Sequence, residues 1–227
     1  MDTHEISIAF HRRRYARLIE EYRTHWGRAD FRTSMRISVL AFSLSLVAIS
    51  YASNYANSRA SNAVTDIVLS NIPVVDVSDW FVYGTFALII FTCLLFFDHP
   101  KRMPFMLFTL AVFYFVRALF VSLTHLGPFP LQTINDFGTI ITKLFFGGDY
   151  FFSGHTGTPF LLALIFWRTP WIRNVYLAWT LFFSIIVLLG HLHYSIDVLS
   201  ALFVSYAVAD IARWLFPKDH SLFMSAD

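Results

Sequence analysis

The chain has 227 residues, 56% hydrophobic and 19% aromatic but only 14% charged. Soluble domains carry about a quarter charged residues, so this balance excludes an ordinary soluble enzyme and implies an integral membrane protein. A formal net charge of +2 leaves no footprint for nucleic acid, and Cys93, the only cysteine, excludes an intrachain disulfide.

In chain order, Tyr15, Leu18, Ile19, Tyr22 and Trp26 come first, recurring at helical spacing with arginines on the other faces. This pattern predicts a cytoplasmic amphipathic segment over residues 1–36, lying on an anionic leaflet or docked on the bundle. Six apolar windows follow, at 37–55, 80–97, 104–124, 154–167, 175–192 and 194–216. Most approach the ~20 residues that a helix needs to cross the hydrocarbon core, and the fourth is short. Each window is apolar all round rather than alternating, which favours helices over a transmembrane barrel. The expected fold is an all-α membrane protein, a six-transmembrane-helix bundle over 37–216, with a cytoplasmic tail at 217–227 too short to fold alone. No cleavable signal pattern precedes the first window, and no internal repeat is visible.

Basic residues set the expected orientation. Fourteen Lys and Arg residues fall before the first window, after the second and fourth, and at the end of the sixth window or in the tail (Arg213 and Lys218), whereas the alternate loops hold only Arg59 and Lys143. The positive-inside rule then makes both termini cytoplasmic and turns the loops between spans 1–2, 3–4 and 5–6 outward. Arg117 lies inside the third window, about 10 Å below its outer end at 1.5 Å per residue.

Two histidine clusters fall at these outer ends: GGDYFFSGHTGT (147–158) and GHLHYSIDV (190–198). His193 and Asp197 are four residues apart, so on a helix they share a face and the carboxylate can fix the imidazole tautomer. Around His155, glycines strip side chains from a helix N-terminus, leaving the Gly154 and His155 amides and the helix dipole to attract an anion such as phosphate. His191 has the wrong spacing for chemistry and reads as support. Asp76 and Asp79 read as solvated loop residues, and Trp80, Trp167, Trp171 and Trp214 as an interfacial belt.

GGDYFFSGHT and HLHYSIDV resemble the two catalytic motifs of the sphingomyelin synthase family, a branch of the type 2 phosphatidic acid phosphatase superfamily. RALFVSLTHLGP (117–128) is similar to the third-helix motif of that branch, and Pro73 with Asp76 is loosely similar to its first-loop motif. The phosphatase branch carries an Arg-Pro pair before the first histidine motif and a Ser-Arg pair ahead of the second. Here no Arg-Pro occurs, and Ile186 and Val187 stand at the Ser-Arg positions. The resemblance therefore leans to the synthase branch, with Arg117 replacing the absent cations.

The resemblance implies a metal-free, cofactor-free transfer of a phospho-headgroup from a glycerophospholipid to a lipid alcohol such as ceramide, through a phosphohistidine. His193, oriented by Asp197, is the implied nucleophile and His155 the implied acid and then base. Arg117, Ser153 and Gly154 are expected at the phosphate, the alternative for Arg117 being a buried ion pair between helices; Asp149 and Tyr150 could face a headgroup cation, and Asp149 could equally cap the fourth span. Expected partners are the two lipid substrates and the bilayer, compatibly with a homo-oligomer. The expected location is the plasma, inner or Golgi membrane, with the site on the exoplasmic or lumenal face. A lipid phosphatase or phospholipase C-type hydrolase, using the same triad with water as acceptor, is the alternative; a non-catalytic bundle would not need the triad.

Overall fold

A computed structural model of the chain describes residues 16, 18–131 and 151–226, and their regular structure is helical. The helices are α1 (Ala29–Ser58), α2 (Ser78–Asp98), α3 (Met103–Leu123), α4 (Gly154–Ile165), α5 (Pro170–Leu189), α6 (Ser195–Leu215) and α7 (Pro217–Met224); a 3-10 turn at Pro100–Arg102 leads into α3. Among the described residues five stretches are long and apolar enough to cross a membrane: α1, α2, Pro100–Leu123, α5 and α6. The protein is thus an integral membrane protein. α4, in the short fourth window, has 12 residues and reaches only about 18 Å, less than the ~30 Å hydrocarbon core.

Helix α1 starts well before the predicted window at 37, because nothing in ADFRTSMR breaks a helix and Asp30 places a negative charge in its first turn. The preceding residues 18–27 are also helical. They dock on the end of α2, where the Tyr22 hydroxyl donates to the Phe97 carbonyl at 3.0 Å and His99 Nδ1 lies 3.3 Å from Glu21 Oε2. Tyr15 lies outside the described residues.

α1 packs along α3. Its buried stripe, Phe31, Ser38, Ser45 and Ala52, repeats every seven residues, the period of a left-handed crossing, and its small side chains let the backbones approach. α4 fills the centre, where Leu161 and Ala163 have no exposed surface, and packs on α5 and α6. Gly157 permits this fit. A β-carbon there would come within 2.8 Å of the Phe113 ring, and the Gly157 carbonyl accepts from Ser205 Oγ at 3.0 Å. Leu44, Ile90, Leu94 and Phe203 stay exposed on outward faces, as a lipid solvent allows, and the four expected belt tryptophans are exposed as well.

The tail, too short to fold alone, is ordered by docking. Phe223 of α7 is fully buried, with its ring centroid 5.5 Å from that of Phe105 and 5.0 Å from that of Phe166. Ser34 of α1 donates to Asp219. Packing supplies the stability that an eight-residue helix lacks alone.

Candidate active site

The first motif begins with a helix cap. Buried Ser153 accepts from the Thr156 amide through Oγ at 3.3 Å, while its carbonyl accepts from the Gly157 amide at 3.0 Å. These bonds satisfy donors that a helix start leaves over and fix the entry of the chain into α4. The His155 ring is flanked by Phe81 of α2 at 4.2 Å and Phe183 of α5 at 5.5 Å between centroids. Pro159 cannot donate to the His155 carbonyl four residues earlier, so this turn departs from a regular ladder.

The second motif begins where α5 ends. The His191 amide donates to the Leu188 carbonyl at 3.0 Å and the Leu192 amide to the Val187 carbonyl at 2.8 Å, with His191 at φ 53°. This is the Schellman arrangement, with a histidine in the left-handed position that usually takes glycine. His191 Nδ1 lies 3.0 Å from the Leu131 carbonyl and its ring meets Phe129 edge-on. The expected supporting role for His191 is therefore a loop anchor.

The turn delivers His193 to the start of α6. His193 Nδ1 is 3.5 Å from Asp197 Oδ2, and the same oxygen accepts from the Tyr194 amide at 3.0 Å. Asp197 thus caps α6 and faces the histidine at once. Both side chains are buried, Asp197 fully. The Ser153 amide donates to the Asp197 carbonyl at 3.2 Å, tying the two motifs into one unit.

Arg117 closes the group from α3. It is 6% exposed, and its Nε donates to the Phe152 carbonyl at 3.0 Å. A β-carbon on Gly154 would lie 3.1 Å from that nitrogen. The missing side chain makes room for a guanidinium at the α4 N-terminus, where cation and helix dipole both favour an anion.

The structure therefore gathers Arg117, Ser153, Gly154, His155, His193 and Asp197 at one end of the bundle. Asp149 and Tyr150 lie outside the described residues. Asp76 is exposed as expected, yet its Oδ1 accepts from the Ser78 amide, the first of α2, at 3.1 Å. Sequence reasoning missed Asp66, a buried carboxylate in the loop between α1 and α2 that accepts from the Ser195 amide at 2.7 Å. The only local sign was an aspartate followed by a short turn. It also missed the phenylalanines around His155, which read as generic core.

No curated protein and no solved structure matches the chain. Residues 147–214, which hold both histidine motifs, match a family model described as PAP2 superfamily C-terminal. The matched segment includes α5 and most of α6, two of the five helices long and apolar enough to cross a membrane, and its similarity to the PAP2 superfamily C-terminal domain is in keeping with an enzyme that handles lipid phosphates.

Proposed function

We propose that the protein is a membrane lipid phosphotransferase of the sphingomyelin synthase type, moving a phospho-headgroup from a glycerophospholipid to a lipid alcohol such as ceramide. One observation carries the reading: His193 sits on buried Asp197 while Asp197 is bonded to the segment that presents His155 and faces Arg117. In the first step His193 Nε2 attacks phosphorus, an N–P bond forms, and the P–O bond to diacylglycerol breaks. The departing oxygen takes the electron pair and a proton from His155. In the second step neutral His155 removes the proton of the acceptor hydroxyl, whose oxygen attacks phosphorus and releases His193. Arg117 and the α4 N-terminus hold the charge on the phosphoryl oxygens.

Asp197 holds the tautomer. With Nδ1 toward the carboxylate, Nε2 is left as nucleophile, and the charge of Asp197 offsets the positive charge that grows on the ring. Ile186 and Val187, at the positions where the phosphatase branch has Ser-Arg, are buried in the apolar core. That supports transfer over plain phosphate hydrolysis. We place this site on the exoplasmic or lumenal face of a six-span bundle whose termini are cytoplasmic, following the distribution of basic residues.

The test is incubation of purified protein with headgroup-labelled phospholipids, with and without ceramide, followed by lipid analysis. Transfer predicts labelled product only when the lipid alcohol is present. Water-soluble phospho-headgroup released equally without it would assign a hydrolase.

A further inference from the structure

We propose that Asp66 is a positioning residue for His193, acting through the first turn of α6; the inference rests on His193 being the nucleophile. Asp66 is 7% exposed. Its Oδ1 accepts from the Val68 and Leu69 amides at 2.8 and 3.1 Å, and its Oδ2 from the Ser195 amide at 2.7 Å. Burial by itself would raise this carboxyl, but the amides of Leu69 and Ser195, the Ser195 side chain and the Val68 amide outweigh it and hold the group below the usual carboxylate range.

A helix cap ordinarily comes from the residue just ahead of the helix. Here the amides of the cap residue and of the first helical residue are taken by two carboxylates: Tyr194 by Asp197 within the helix, and Ser195 by Asp66 from 129 positions away. Neighbouring bonds reinforce the second link. The Tyr194 hydroxyl donates to the Gly127 carbonyl at 2.8 Å and accepts from the Val64 amide at 3.3 Å, and the Gly127 amide donates to the Asn62 carbonyl at 3.3 Å. The loops after α1 and α3 thus close over Tyr194 and Ser195, two of the three residues between His193 and Asp197. Asp66 is the charged member of this closure, and amide bonds to a carboxylate are stronger than neutral ones. Holding Ser195 fixes the register of the turn that aims the His193 ring.

The diagnostic variant is Asp66→Asn. Its amide group must face donors on one side, so it cannot accept from both Ser195 and the Val68–Leu69 pair. A second variant breaks the same bond from the other partner. Ser195→Pro removes the donor at the first helical position, where proline is tolerated, and Tyr194 already has the extended backbone that a following proline requires, at φ −68° and ψ 155°.

Both variants of the full-length protein, together with His193→Ala, are assayed for kcat and KM of headgroup transfer, thermal midpoint, and amide hydrogen exchange over residues 193–198. We expect kcat to fall about tenfold to a hundredfold in Asp66→Asn and Ser195→Pro, with KM within about twofold and faster exchange confined to the start of α6. Wild-type kcat in a folded Ser195→Pro variant overturns the inference, as does a loss of exchange protection across all helices in both variants. Retained turnover in His193→Ala would instead sink the nucleophile assignment, while exchange at the α6 start still reads the Asp66 link.

Discussion

The guanidinium of Arg117 lies against Gly154, with Nε 3.1 Å from where a β-carbon would be. This contact explains why the motif has glycine there and how a cation buried in α3 reaches the start of α4. Gly154→Ala should push the guanidinium aside and lower turnover by about tenfold or more, with insertion unchanged. Arg117→Lys keeps charge but loses the fork and should retain more activity than Arg117→Ala. Initial rates of the four proteins check both; wild-type turnover in Gly154→Ala would show that Arg117 need not sit there.

His191 holds the left-handed position at the end of α5, at φ 53°. Replacing it by glycine or alanine removes the same contacts to Leu131 and Phe129, but only glycine relieves the backbone. His191→Gly should therefore be more stable than His191→Ala by about 1 kcal/mol. Unfolding midpoints in detergent decide it, and equal midpoints would deny the strain.

The two histidine motifs and the five helices of membrane-crossing length were legible in the sequence because each depends on a local pattern. The Asp66 to Ser195 bond was not, since it joins residues 129 apart and no periodicity marks either one. Helix α7 was missed for a related reason: PKDHSLFM is too short to be helical on its own, and only Phe105 and Phe166 across the bundle make it so. The start of α1 was hidden because polar residues carry a helix as readily as apolar ones once it leaves the bilayer. Twelve-residue α4 shows the limit of window counting, because a helix enclosed by others need not have the length of a span.

Chelation should leave the activity intact. Among the described residues no group of three His, Cys, Asp or Glu side chains is placed to hold a metal ion, and a histidine serving as nucleophile is not available as a ligand. Turnover measured with and without EDTA checks this; inhibition reversed by one divalent ion would assign a different chemistry.

Orientation can be read by labelling single cysteines on a Cys93→Ala background with a membrane-impermeant thiol reagent in intact cells. Ile67, 82% exposed in the loop between α1 and α2, should label when replaced by cysteine, whereas exposed Asn174 and Lys218 should not. The reverse pattern would put the site in the cytoplasm.

The central claim is a covalent intermediate on His193, and trapping it is the most direct measurement. Purified protein is mixed with phospholipid labelled at the headgroup phosphate, without acceptor, then denatured and digested so that the label can be mapped. The account predicts an acid-labile, alkali-stable adduct on His193, discharged by ceramide and absent from His193→Ala and Asp197→Ala. Turnover with no label on His193, or the same label in His193→Ala, would contradict it.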